Sequence, residues 1–95
     1  MLKKLLLTLF LLGLATFSTA QDIKVSDVQI EGHHRIDIAS ILAVIPIKPG
    51  DLVSLDGIDE AMRSIFALGR FEDISVELTE VQGAKILTFV VRELP

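Results

Sequence analysis

The chain has 95 residues, with nine lysine and arginine residues against thirteen aspartate and glutamate residues, and it contains no cysteine. Its length allows one small domain, and its acidic balance argues against binding to nucleic acid or to an anionic membrane surface, because both need clustered basic side chains. Without cysteine, neither a disulfide framework nor a lipid-modified cysteine is possible.

The first twenty residues have the pattern of a secretory signal peptide. Two lysines precede an apolar run, which ends in small residues. This order predicts export, with cleavage between Ala20 and Gln21. The run is shorter than the roughly 20 apolar residues that a membrane-spanning helix needs. We therefore expect residues 1–20 to be removed and residues 21–95 to form a single domain, in which seven basic and thirteen acidic residues give a net charge of −6.

The predicted domain begins with a strand and a short helix. Apolar and polar residues alternate from Ile23 to Ile30, which is typical of a strand with one buried face. The alternation changes phase near Asp27, which indicates either a bulge or the true start of the strand. After a turn, a helix is predicted to follow the N-cap residue Asp37 and to end before Pro46.

A second, longer helix is predicted from the N-cap residue Ser54 to Gly69. Asp59 and Arg63 form a favourable four-residue pair on its solvent-facing side, and Arg70 follows its end. The apolar residues of this helix recur at helical spacing and are expected to face the core: Leu55, Ile58, Met62 and Ile65.

Two strands complete the domain. The alternation from Phe71 to Leu78 predicts a strand with one side in water, whereas the segment from Ile86 to Val91 is apolar on both sides and belongs in the middle of a sheet. Gln82, Gly83 and Ala84 are expected to form the hairpin turn between them.

The sequence thus predicts an α+β fold with the order β-α-α-β-β. We expect a three-stranded mixed sheet in the strand order 1-3-2, with two antiparallel helices on one face. In this order the strand from Phe71 to Leu78 lies at an edge of the sheet.

This edge strand is the candidate binding site. Its unpaired N–H and C=O groups can accept an extended peptide as an additional strand, which is called β-augmentation. Its acidic residues can equally serve only to guard the edge against aggregation. A proline at Ser75 is the substitution that the sequence suggests for removing an outward-facing donor. The candidate residues are Glu72, Asp73, Ile74, Ser75, Val76, Glu77 and Leu78.

Neither a catalytic site nor a metal site is expected. The only histidines, His33 and His34, are adjacent and lack the spacing of zinc or calcium ligands. No serine stands in the Gly-x-Ser-x-Gly pattern of a nucleophile elbow, and the glycines form no phosphate-binding loop. We therefore expect no enzyme activity, no cofactor and no metal.

Four segments of the chain carry a resemblance to a known family: residues 28–36 (VQIEGHHRI), 49–51 (PGD), 65–74 (IFALGRFEDI) and 90–95 (VVRELP). Together they resemble the POTRA (polypeptide-transport-associated) domains, in particular the first such domain of BamA-type outer-membrane protein assembly factors. The resemblance covers essentially all of residues 21–95.

The resemblance implies a module in the Gram-negative periplasm, at the inner face of the outer membrane. It implies unfolded outer-membrane proteins, periplasmic chaperones and accessory lipoproteins of the assembly complex as partners. Members of the family carry further POTRA repeats and a membrane β-barrel, so the chain is expected to be the N-terminal module of a longer protein.

An alternative keeps the fold and changes the role. The domain is then a structural or divisome-type interaction domain, which meets one dedicated partner through the helix surface around Asp59, Arg63 and Arg70.

Overall fold

The computed structural model describes residues 22–95. The predicted signal peptide and its cleavage site between Ala20 and Gln21 lie outside these residues. Within them, no helix is both long enough and apolar enough to cross a membrane.

The strands and helices follow the predicted order, with two additional short strands. The elements are β1 (Ile23–Lys24), β2 (Asp27–Glu31), α1 (Ile38–Val44), β3 (Leu52–Val53), α2 (Leu55–Phe66), β4 (Phe71–Val81) and β5 (Ala84–Glu93).

The main sheet has the predicted arrangement. Its three strands lie in the order β2-β5-β4, with β5 in the centre, parallel to β2 and antiparallel to β4. The central position of β5 follows from its composition. Its side chains are apolar on both faces of the sheet, so little polar side-chain surface is removed from water when both faces are covered. The α+β class and the 1-3-2 strand order are therefore confirmed.

One hydrophobic core joins both helices to one face of this sheet. Ile41 from α1 and Ile65 from α2 are fully buried, together with Leu87 and Phe89 from the central strand. The opposite face of the sheet carries exposed polar residues on β2 and β4, and we call it the open face.

The phase change near Asp27 marks the true start of a strand. β2 begins at Asp27, and the preceding Ile23–Lys24 pairs instead with β3 as a separate two-stranded ribbon. β3 was not predicted, because a two-residue strand carries too little pattern to be recognised.

The two predicted N-caps differ in the structure. The Ser54 side chain accepts a hydrogen bond from the Gly57 N–H at 3.1 Å, as expected of a cap. Asp37 stands at the N-cap position of α1 in an extended conformation, but its side chain forms no capping hydrogen bond. α1 therefore depends on packing, with Ile41 as its fully buried residue.

Leu55, which was predicted to face the core, is exposed, and so is Leu78 on the helix side of β4. Leu55, at the first turn of α2, is 71% exposed, and Leu78, in the second half of β4, is 47% exposed. Phe71, at the start of β4, is buried.

Candidate functional site

The outer side of β4 is the longest free edge of the main sheet. β4 has eleven residues and pairs with β5 on one side, with no partner on the other side among residues 22–95. It therefore extends three residues beyond the predicted end at Leu78. We call the unpaired side of Phe71–Val81 the β4 edge.

The hairpin turn decides which backbone groups of β4 point outward. The turn contains Gln82 and Gly83 alone, both with positive φ (51° and 81°), and Val81 pairs directly with Ala84. These angles belong to a type I′ turn, in which the flanking pair exchanges both of its hydrogen bonds. The predicted turn was therefore one residue too long, since Ala84 already belongs to β5.

Antiparallel pairs alternate between those that exchange hydrogen bonds and those that do not. Counting back from the Val81–Ala84 pair, Thr79, Glu77, Ser75 and Asp73 direct their N–H and C=O groups toward β5. The groups that face outward belong to the intervening residues: Ile74, Val76, Leu78 and Glu80.

Two hydrogen bonds beyond the turn agree with this alternation. At the far end of the hairpin, the Leu94 N–H donates to the Arg70 C=O at 2.9 Å, as the alternation requires after the bulge. On the other side of β5, the Lys85 C=O accepts from the Ser26 N–H at 2.8 Å, so residues of β5 that do not face β4 face β2.

This ladder corrects the choice of Ser75 as the position for an edge-blocking proline. The Ser75 N–H points toward Val90 of β5, so a proline there removes a bond within the sheet and leaves every outward donor in place. Among the outward-facing residues, Leu78 has the most exposed of the apolar side chains.

A bulge shapes the start of the edge. The register between β4 and β5 shifts between Phe71 and Asp73, which leaves Glu72 as the extra residue. Phe71 and Ile74 are three residues apart and are nevertheless both buried, because the bulge returns the strand to the helix-facing side. The Glu72 carboxylate pairs with the Arg92 guanidinium at 2.7 Å, next to the bulge.

The second edge of the sheet, along β2, is shorter and partly occupied. β2 has five residues, and the Val28 N–H already donates to the Asp27 carboxylate at 2.9 Å. Just before β2, Val25 exchanges backbone hydrogen bonds with Gly50 and Asp51, so a loop covers the continuation of this edge. The β4 edge is therefore the better place for an added strand.

The candidate helix-face residues do not form one cluster. Arg63 and Asp59 form the predicted ion pair at 2.9 Å, with side chains that are 80% and 60% exposed. Arg70 lies beyond the end of α2, beside Arg35 and Glu93 at one end of the sheet. The structure thus brings together two of the three residues.

The histidines belong to a loop that a distant carboxylate holds in place. Glu93 accepts a hydrogen bond from the His34 N–H and further ones from the Arg35 N–H at 2.9 and 3.1 Å. The His34 N–H bond is the main cause that keeps the pKa of Glu93 below its usual value, and the Arg35 and Ile36 N–H groups add to the effect, while desolvation opposes it. Among residues 22–95, no group of histidine and carboxylate side chains has the arrangement of a metal site.

We call the hydrogen bonds from the His34 and Arg35 N–H groups to the Glu93 carboxylate the Glu93 clamp. The sequence did not predict it, although Glu93 stands in the VVRELP segment that carried the resemblance. A glutamate near the end of a strand gives no local signal of its partners, which lie 58 and 59 residues away.

Fold and edge together define a small α+β domain of the β-α-α-β-β type, with both helices on one sheet face and one long free edge. Residues 23–94 match the family model described as "POTRA: Surface antigen variable number repeat". The chain belongs to this POTRA family.

Individual relatives agree with the family. The chain is 29% identical over 91 residues to the outer membrane protein assembly factor BamA of Neisseria meningitidis serogroup B. The aligned region covers 96% of this chain and 11% of that protein. It therefore spans about one ninth of the curated relative.

Solved structures share the fold. The N-terminal domain of Omp85 from Thermosynechococcus elongatus superimposes with a TM-score of 0.75 at 25% identity, over 81% of this chain and 33% of that one. POTRA1-3 of the periplasmic domain of Omp85 from Anabaena superimposes with a TM-score of 0.72 at 20% identity, over 81% of this chain and 32% of that one, and at this identity it supports the fold alone.

Proposed function

We propose that residues 21–95 form a periplasmic, non-catalytic POTRA module of an outer-membrane protein assembly machine, exported by a signal peptide in residues 1–20. In this proposal the module is the N-terminal one of a longer protein, and it binds unfolded client segments, chaperones or accessory lipoproteins by β-augmentation along the β4 edge. The family membership and the similarity to BamA support the setting.

The observation that carries the binding mode is the alternation of backbone groups along β4. Ile74, Val76, Leu78 and Glu80 present N–H and C=O groups with no partner in the main sheet. An extended peptide placed beside them satisfies these groups with its own backbone, so affinity depends weakly on side chains. Such recognition suits a protein that receives many different unfolded chains.

Amide hydrogen exchange tests this mode directly. In the free chain, the outward amides should exchange quickly, and the amides of Ser75, Glu77 and Thr79 should exchange slowly because they bond to β5. On addition of a peptide that copies a strand of an outer-membrane protein, protection should appear at every second residue of β4, beginning with Ile74 and Val76.

A proline variant supplies the matching affinity measurement. Leu78→Pro removes one outward donor where the N–H faces away from the sheet, a position that edge strands tolerate. Leu78→Ala keeps that donor and removes most of the same side chain, so it is the matched control. We expect the proline variant to bind the peptide at least about fivefold more weakly than the alanine variant, because an acceptor of the peptide then lacks its hydrogen bond. Equal binding by the two variants, both folded by circular dichroism, contradicts the edge mode.

A second candidate function rests on the exposed flank of α2. Leu55 and Phe66 are 71% and 44% exposed, and they lie on the same side of the helix as the Asp59–Arg63 pair. This surface can meet one dedicated partner protein by its helix face. Arg63→Glu distinguishes the two functions, since it reverses a charge at this face and leaves the β4 edge unchanged. Loss of partner binding in this variant, with peptide binding retained, favours the helix face for that partner.

A further inference from the structure

We propose that the β4 edge selects extended segments in which basic side chains alternate with apolar ones. The inference rests on β-augmentation at this edge and adds the chemistry of the preferred occupant. It follows from the different character of the two rows of side chains that border an added strand.

The row on the helix side is apolar from Ile74 to Leu78 and ends in the exposed Glu80 next to the hairpin turn. Ile74 is buried, Val76 is half-buried and Leu78 is 47% exposed. The exposed apolar surface on this side of the edge therefore grows from Ile74 toward Leu78. Successive side chains of a strand point to opposite faces of the sheet. Every second residue of an added strand therefore lies beside Val76 and Leu78, where an apolar side chain removes their exposed surface from water.

The row on the open face is acidic. Asp73, Ser75, Glu77 and Thr79 are all exposed, and neither Asp73 nor Glu77 has an ion-pair partner among residues 22–95. The neighbouring Glu72 differs, since it is already paired with Arg92. Two carboxylates thus remain available beside the position of an added strand.

The rest of the open face strengthens the negative potential. β2 contributes the exposed carboxylates of Asp27 and Glu31 to the same face. Arg92 lies opposite Asp73, but its guanidinium is paired with the Glu72 carboxylate and therefore neutralises the charge of Glu72 before that of Asp73. The open face therefore attracts cationic strands and repels acidic ones, including the β4 strand of a second copy of this chain.

The spacing of the two carboxylates gives the preferred pattern. Asp73 and Glu77 are four residues apart on one side of the strand, with the small polar Ser75 between them. An occupant that fits both rows carries lysine or arginine at two positions four residues apart, a small polar residue midway, and apolar residues at the intervening positions.

Three synthetic peptides with this pattern test the inference. They share their apolar positions and differ only at the two cationic positions, which carry lysine, glutamine or glutamate. Two cross-strand charge pairs should make the lysine peptide bind about two- to thirtyfold more tightly than the glutamine peptide. The glutamate peptide should bind more weakly than the glutamine peptide, because like charges then face each other. The difference should vanish between about 0.01 and 1 M salt, as the Debye length falls from about 30 to about 3 Å.

A charge-matched pair of variants locates the effect. Asp73→Asn with Glu77→Gln should remove the preference for lysine and leave binding of the glutamine peptide unchanged. Asp56→Asn with Glu60→Gln removes the same charge from α2, away from the β4 edge, and should keep the preference. All four positions are exposed, and thermal unfolding of both variants is the check that they fold.

The outcomes separate this inference from the function on which it rests. If the lysine and glutamine peptides bind the unchanged chain equally, or if the preference survives loss of Asp73 and Glu77, the selectivity is refuted while strand addition stands. If no peptide binds and no β4 amide gains protection, strand addition itself is refuted, and the selectivity with it.

Discussion

Replacing Gly32 by alanine should unfold this domain or bring it close to unfolding. Gly32 follows β2 directly and has a φ of +89°, a conformation that side chains with a Cβ rarely adopt. A Cβ built there would lie 2.1 Å from the carbonyl oxygen of Val91 in the adjacent strand β5. The obstacle is backbone in the centre of the sheet, which no change of rotamer can move away.

The expected loss has two parts. The positive φ costs an alanine about 1–2 kcal/mol. A carbon and a carbonyl oxygen normally approach to about 3.3 Å, so the end of β2 must move away from β5 by about 1 Å, which breaks at least one hydrogen bond worth about 1 kcal/mol and exposes neighbouring core. A total of about 3 kcal/mol compares with about 3–5 kcal/mol of net stability for a domain of this size.

Gly69→Ala is the matched control for backbone conformation. Gly69 has a φ of +70°, and no heavy atom lies within 4 Å of the position of its added Cβ. This variant should lose only the conformational part, about 1–2 kcal/mol, which lowers the melting temperature by about 4–8 °C per kcal/mol. Urea unfolding followed by circular dichroism measures both variants. Equal losses in the two variants would show that the close approach of Gly32 to Val91 does not determine stability.

Two further predictions concern the loop clamp and the core. Because the pKa of Glu93 lies below its usual value in the folded chain, the unfolded chain binds more protons in acid. The clamp should therefore stabilise the fold above the usual carboxylate pKa, and this contribution should be lost as the pH falls through the lowered value. Glu93→Gln should therefore lower the melting temperature at pH 7 and make it decline less steeply in acid. Glu60→Gln on α2 is the control and should leave the dependence of the melting temperature on pH nearly unchanged. If the unchanged chain and Glu93→Gln give parallel curves of melting temperature against pH, the clamp does not stabilise the fold. Phe89→Ala, at a fully buried position, should cost about 3–5 kcal/mol and leave little folded protein by circular dichroism. Leu55→Ala, at a position 71% exposed, should cost less than about 0.5 kcal/mol, and a large loss there would mean that Leu55 is covered in solution.

Local signals in the sequence were enough to predict the order of the elements. Ser54 caps α2 through a hydrogen bond three residues away, and Pro46 follows the end of α1. The double apolar character of β5 placed it in the centre of the sheet and β4 at the edge, which the structure confirms. These features depend on residues close together in sequence or on the hydrophobic pattern of a single strand.

Features that depend on one-residue accuracy or on distant partners required the tertiary structure. A hairpin turn of three residues was predicted and one of two residues is found, so Ala84 already pairs with Val81 and the register of β5 against β4 differs by one residue from the one that the longer turn implies. The hydrophobic pattern of β4 shows which side chains are buried but not which N–H groups face outward, and only the observed pairing places an outward donor at Leu78 and not at Ser75. The Glu93 clamp joins residues 58 and 59 positions apart, which only the folded chain brings together.

The sequence by itself therefore determined which strand lies at the free edge, because the spacing of apolar residues along a strand indicates whether one or both of its faces are buried. Only the tertiary structure decided which amides and carbonyls that edge presents, since the direction of each backbone hydrogen bond depends on the register set by the turn and by the Leu94–Arg70 bond at the other end of the hairpin.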